Sequence, residues 1–101
     1  MKKTLVFKVN PENPEIEIIR KAAGIIRKGG LVAFPTETVY GLGADALNAE
    51  AVLALFKAKK RPLDNPPIVH VGRLEDVYRL AVEVPAKAEV LMRTFWPGPL
   101  T

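Results

Sequence analysis

The order of segments along this chain predicts an α/β fold, because short apolar runs that read as strands alternate with amphipathic stretches that read as helices. Length and composition support that expectation. The 101 residues make at most one domain. Hydrophobic residues at 49% against charged residues at 26% supply enough apolar side chain to offset the entropy of ordering the chain.

The elements follow in order. Thr4 to Val9 alternates in part, with Leu5, Phe7 and Val9 set against Lys8, and is predicted as a first strand at a sheet edge. Asn10-Pro11-Glu12-Asn13-Pro14 reads as a turn, with Asn13 as N-cap and Pro14 at the first helical position. Glu15 to Lys28 keeps helical spacing through Ile16, Ile18, Ile19, Ala22, Ala23, Ile25 and Ile26, and Gly29-Gly30 supplies its C-terminal cap. Leu31 to Phe34 reads as a buried strand closed by Pro35, and Thr36 to Asp45 as a loop.

Asn48 is placed to cap a second helix running to about Lys59, with Val52, Leu53, Leu55 and Phe56 inward and Pro62 as the stop. Asp64-Asn65-Pro66-Pro67 is a turn before a second buried strand, Ile68 to Val71. Arg73 to Leu80 is predicted as a third helix with Leu74, Val77, Tyr78 and Ala81 on one face. Pro85 opens a fourth, with Ala88, Leu91, Met92 and Phe95 inward, and Trp96-Pro97-Gly98-Pro99 breaks it. Three short strands with four helices leave sheet edges that proteins normally cover, so the pattern reads as a domain cut short.

Several function classes drop out on composition. With no cysteine, a disulfide framework, a thiolate zinc site and a cysteine nucleophile are all excluded. Apolar runs are too short to cross a membrane. Lys8 and Glu12 interrupt the N-terminus before a signal-peptide core can form. A cytoplasmic location is the expectation.

The formal charge is +4, from 15 Lys and Arg against 11 Asp and Glu, and its distribution says more than its sum. Lys57, Lys59, Lys60 and Arg61 stand close together with no acid among them. Such a cluster fits an anionic ligand or nucleic acid. It equally fits a solvated helix end that favours cations through the dipole.

Four segments carry possible chemistry. Pro35-Thr36-Glu37-Thr38-Val39-Tyr40-Gly41-Leu42-Gly43 follows a predicted strand, and in open α/β sheets ligands bind at the carboxyl ends of strands. Thr36 and Thr38 can donate to a carboxylate and Glu37 can pair with an ammonium group, or the threonines can satisfy the local backbone. Neither a phosphate-binding Gly-Lys-Ser/Thr loop nor the dinucleotide glycine fingerprint is present. Lys59 and Arg61 offer a point charge and a planar fork for phosphates or bicarbonate. His70, the one histidine, reads as a ligand contact or as a core residue with its hydrogen bonds satisfied. Phe95-Trp96-Pro97-Gly98-Pro99 offers either a stacking platform for a base or a core aromatic beside a rigid turn.

Taken as a series, Gly29 to Gly43, Lys59-Lys60-Arg61-Pro62, Asp64-Asn65-Pro66, Ile68-Val69-His70-Val71 and Phe95 to Thr101 resemble the YrdC/TsaC family. The resemblance runs over residues 24 to 101 in order and spacing. It implies a twisted mixed sheet flanked by helices, of which this chain is the N-terminal half, with a basic concave cleft. It also implies a nucleotidyltransferase that joins L-threonine, bicarbonate and ATP, with Mg²⁺, into threonylcarbamoyl-AMP and releases pyrophosphate. The product serves N6-threonylcarbamoyladenosine modification at position 37 of tRNA, alongside other proteins of that pathway.

By matching position, the resemblance makes Thr38 and His70 L-threonine contacts, with Thr36 as a neighbour, and Lys59, Arg61 and Asn65 nucleotide contacts. It names no residue as a covalent catalyst and none as a metal ligand. The family's Ser-x-Asn element has no counterpart in these residues, which puts activity of this chain alone in doubt. A double-stranded RNA or tRNA-binding module is the alternative, resting on the Lys57–Arg61 cluster.

Overall fold

In the computed structural model, residues 3–62 and 66–101 are described. They form two compact units, Met1–Pro66 and Pro67–Thr101, each built from its own elements.

The first unit begins with a segment that forms no strand, in place of the expected first strand. Leu5 and Val6 are exposed, and no described strand pairs with them. A strand is defined by its ladder, and alternation alone cannot supply the partner. The segment meets the first helix at Phe7, whose ring centroid lies 5.3 Å from Lys21 Nζ.

Helix α1 spans Ile16–Arg27. Its N-cap is Glu15, two residues beyond the predicted Asn13. The cause is Asn10, whose Oδ1 accepts from the backbone N–H groups of Glu12 (2.9 Å) and Asn13 (3.3 Å). That turn keeps the chain out of helical geometry past Asn13. The Glu15 carboxylate reaches back to the Asn10 N–H at 3.2 Å. At the other end Gly29 N–H donates to Ile26 C=O (3.0 Å) and Gly30 N–H to Ile25 C=O (2.8 Å). This reciprocal pair needs a left-handed residue after the helix, and Gly29 provides it at φ 86°.

Strands β1 (Val32–Phe34) and β2 (Gly41–Gly43) form a two-stranded antiparallel sheet in the register Val32↔Gly43, Ala33↔Leu42, Phe34↔Gly41. The first correction is that β2 lies inside the segment predicted as loop, since two glycines in three residues hide any strand pattern. The second is that β1 is not buried. Val32 is half-buried, whereas Ala33 and Phe34 are exposed, because β1 has β2 as its one described ladder partner. α1 packs against β1.

Helix α2 spans Ala49–Lys59, with Ala51, Leu55 and Phe56 as its buried face. Leu53, expected inward, is 54% exposed. Asn48 caps the helix as predicted, its side-chain oxygen accepting from Ala51 N–H at 3.1 Å. The helix ends before Pro62 can act: Lys60 turns left-handed (φ 54°, ψ 40°), its N–H donating to Lys57 C=O and the Arg61 N–H to Phe56 C=O.

In the second unit, Ile68 to Val71 does not form a strand, and Ile68 and Val69 are exposed. The physical reason is again the lack of a described ladder partner. The predicted third helix divides into a tight turn, Leu74–Asp76, and a short helix α3, Val77–Leu80. Asp76 organises both, accepting from Arg73 N–H at 3.3 Å and lying 3.7 Å from the Arg79 guanidinium. Helix α4, Ala86–Phe95, is capped by Pro85 and buries Met92. Leu91 and Phe95, expected inward, are exposed. Among the described residues no helix is long and apolar enough to cross a membrane.

Candidate functional site

The segment from Pro35 to Tyr40 connects β1 to β2, so both of its ends are tied to one antiparallel ladder. The ladder sits tightly because β2 lacks side chains on the face that Phe34 covers. Carbon atoms of the Phe34 ring lie 3.1 Å from the ideal Cβ position of Gly41 and 2.9 Å from that of Gly43. The Thr36 methyl lies 3.4 Å from the same Gly41 position.

Within the connection the polar groups hold one another. The Thr36 hydroxyl donates to the Val39 carbonyl, and the Thr38 N–H donates back to Thr36 Oγ1 at 3.2 Å. The two threonine hydroxyl oxygens stand 3.5 Å apart, beyond the usual O–H···O range. Thr36 therefore has its single proton engaged, whereas the Thr38 hydroxyl makes only this long contact, which it can leave for a ligand. Thr36, Glu37, Thr38, Val39 and Tyr40 are all exposed. The two readings of the threonines thus divide, since Thr36 satisfies the local backbone and Thr38 does not exhaust its hydroxyl there.

Lys59 and Arg61 flank Lys60 at the end of α2. Lys57, Lys59 and Lys60 are exposed and Arg61 is half-buried. Left-handed backbone at a non-glycine residue costs free energy, of order 1 kcal/mol. It turns the chain sharply between Lys59 and Arg61, so the two cations leave the helix end on a bend and not on a continuing helical face. The expected turn residue Asn65 lies outside the described residues.

His70 belongs to the second unit. It is exposed, which corrects the alternative of a core histidine. Its Nδ1 lies 3.0 Å from the Ile68 carbonyl. A carbonyl only accepts, so Nδ1 is the donor in this contact, which orients the ring against its own backbone. In the same unit Trp96 is half-buried, and its indole N–H donates to the Leu100 carbonyl at 3.0 Å, closing the Pro97-Gly98-Pro99 turn. That geometry favours the rigid-turn reading of the aromatic pair.

Among the described residues no group of three or more His, Asp or Glu converges to hold a metal ion. Sequence reasoning missed two contributors to this site, Phe34 as the cover of the glycine strand and Lys60 as the bend. The signals were present: an aromatic flanking a glycine-spaced strand, and a helix that ends without glycine.

Residues 24–101 match the Sua5–YciO–YrdC family model, which carries the description "Telomere recombination". The chain is 55% identical to the threonylcarbamoyl-AMP synthase of Pyrococcus abyssi over 98 residues, covering 97% of this chain and 28% of that protein. It is 52% identical to the threonylcarbamoyl-AMP synthase of Bacillus subtilis over 83 residues, covering 82% of this chain and 24% of the relative. The crystal structure of P. abyssi Sua5 complexed with L-threonine superposes with a TM-score of 0.81 at 57% identity, over 86% of this chain and 26% of that one. The chain thus spans about a quarter of the length of these relatives. On the match over residues 24–101 and the identity to both relatives, the chain belongs to the Sua5–YciO–YrdC family.

Proposed function

We propose that this chain contributes to an L-threonylcarbamoyladenylate synthase, a nucleotidyltransferase that forms threonylcarbamoyl-AMP from L-threonine, bicarbonate and ATP in the tRNA-modification route, in the cytoplasm. It supplies the N-terminal portion of the catalytic domain. The observation that carries the reading is the fit of this chain to a relative solved with L-threonine. The exposed threonine-bearing connection between β1 and β2 adds support, since binding residues often stand on loops held at both ends by regular structure.

In this reading Thr38 and His70 hold L-threonine, with Thr36 beside Thr38. Lys59, Arg61 and Asn65 hold the nucleotide. The threonine amine attacks bicarbonate carbon, and loss of water leaves a carbamate. A carbamate oxygen then attacks the α-phosphorus of ATP, and the bond to the β,γ-pyrophosphate breaks. The chemistry asks the protein for position and for positive charge near the transferring group. Lys59 supplies a compact charge and Arg61 a planar fork. The second ring nitrogen of His70 can form a hydrogen bond with the amino acid. Mg²⁺ enters as part of the nucleotide substrate, as suits an ion that keeps phosphate and water ligands. No step is assigned to a protein-held ion.

The exposed lysines at the end of α2 favour a second reading, an RNA-binding surface. Calorimetry with L-threonine and Mg-ATP tests both, using this chain and a form extended to the length of its relatives. Binding together with pyrophosphate release in the extended form is the expected result. Silence in both forms, with RNA binding that falls steeply with salt, would move the assignment to RNA.

A further inference from the structure

We propose that Thr36 is a positioning residue, whose hydroxyl locks the turn that presents Thr38 to the substrate. The proposal rests on the reading of Thr38 as an L-threonine contact. Its ground is a division of labour between two neighbouring hydroxyls. Thr36 donates its one proton to the Val39 carbonyl and takes the Thr38 N–H on a lone pair at 3.2 Å. A hydroxyl has one proton and two lone pairs, so Thr36 has nothing left to donate to a carboxylate without opening the turn.

The two bonds close the loop on both sides of Thr38: one fixes its own N–H, the other the carbonyl that follows it. The Thr36 methyl lies over Gly41, which ties the same side chain to β2. A loop whose residues are all exposed has little packing to hold it, and backbone bonds to one hydroxyl add what that packing lacks. The Thr38 hydroxyl is held to Thr36 only by a long 3.5 Å contact, which it can exchange for a ligand. The arrangement lowers the ordering cost of binding by holding the backbone in advance.

Two substitutions separate hydroxyl from methyl. Thr36→Val keeps a methyl beside Gly41 and removes the hydroxyl, and Thr36→Ser does the reverse. The first readout needs no ligand: the Thr38 amide should exchange its hydrogen about tenfold faster in Thr36→Val and close to the unsubstituted rate in Thr36→Ser. The second is L-threonine affinity by calorimetry, expected to fall about tenfold in Thr36→Val and to be restored by Thr36→Ser, with Mg-ATP affinity unmoved. The third is a cycle with Thr38→Val. If Thr36 acts through Thr38, the double variant binds L-threonine no more weakly than Thr38→Val alone.

An unmoved Thr38 amide in Thr36→Val overturns the positioning role. So does a cycle in which the two losses multiply, which marks Thr36 as a direct contact. Failure of the unsubstituted protein to bind L-threonine at all, in this chain and in the extended form, overturns the substrate reading beneath the proposal. That failure is read from a different signal than the amide.

Discussion

Phe34 covers Gly43 although the two are not cross-strand partners. Phe34 pairs with Gly41 and Gly43 with Val32, yet the Phe34 ring comes within 2.9 Å of the point where a Gly43 Cβ would stand. Residues two apart on a strand share a face. One aromatic ring thereby serves both glycines, taking the room that their side chains would need, and pins the hairpin from which the candidate loop hangs.

Gly43→Ala should destabilise the chain by about 1–3 kcal/mol, the usual range for overpacking. Phe34→Ala should cost about 1–2 kcal/mol, less than a fully buried phenylalanine, because Phe34 is 39% exposed. The double variant should lose less than the two losses added, since the clash disappears with the ring. Urea unfolding of the four proteins reads this directly, and strict additivity would refute the contact.

Lys60→Gly should stabilise the chain by about 1 kcal/mol, because glycine occupies left-handed backbone without the Cβ penalty. The gain is set by the φ of 54° at Lys60. Thermal unfolding should show a higher midpoint in Lys60→Gly, while Lys57→Gly, inside α2, lowers it by about 1 kcal/mol. A lower midpoint in Lys60→Gly would mean that its backbone is not left-handed.

Asn48→Ala should cost about 1 kcal/mol through loss of the cap on α2, and Asn48→Asp should retain most of it. The measurement is the urea midpoint, with the unfolding slope unchanged. Equal losses in the two variants would count against the 3.1 Å bond to Ala51 N–H as the source of the effect.

Arg61→Ala and Lys59→Ala should each weaken Mg-ATP binding about tenfold or more in the extended form, with L-threonine affinity held within about twofold. Arg61→Lys should fail to restore binding, since a point charge does not replace a planar fork. Calorimetry at two salt concentrations checks the assignment. A full rescue by lysine would reduce Arg61 to a generic charge.

Helix positions were legible wherever a local signal was complete. Asn48 carried the cap of α2, Gly29-Gly30 the end of α1, and Pro85 the start of α4, because each acts through backbone groups within a few residues of itself. The misread start of α1 is instructive, since Asn13 was a sound cap candidate. Asn10 took the competing turn by capturing two N–H groups, and residue preferences alone do not rank two such local solutions. The candidate site divides the same way. Thr36, Thr38, Lys59, Arg61 and His70 could be named from type and spacing, whereas the engaged hydroxyl of Thr36 and the bend at Lys60 could not.

The amino-acid order was sufficient for the α/β class and for the approximate places of α1, α2 and α4, since caps and apolar spacing act between neighbours close in the chain. Tertiary structure decided which extended segments became strands. Leu5 to Val9 and Ile68 to Val71 have the more strand-like residues, yet Gly41–Gly43 forms the ladder, because it meets β1 in register under the Phe34 ring. A strand is a relation between two segments, and apolar alternation in one of them cannot say whether the other will be there.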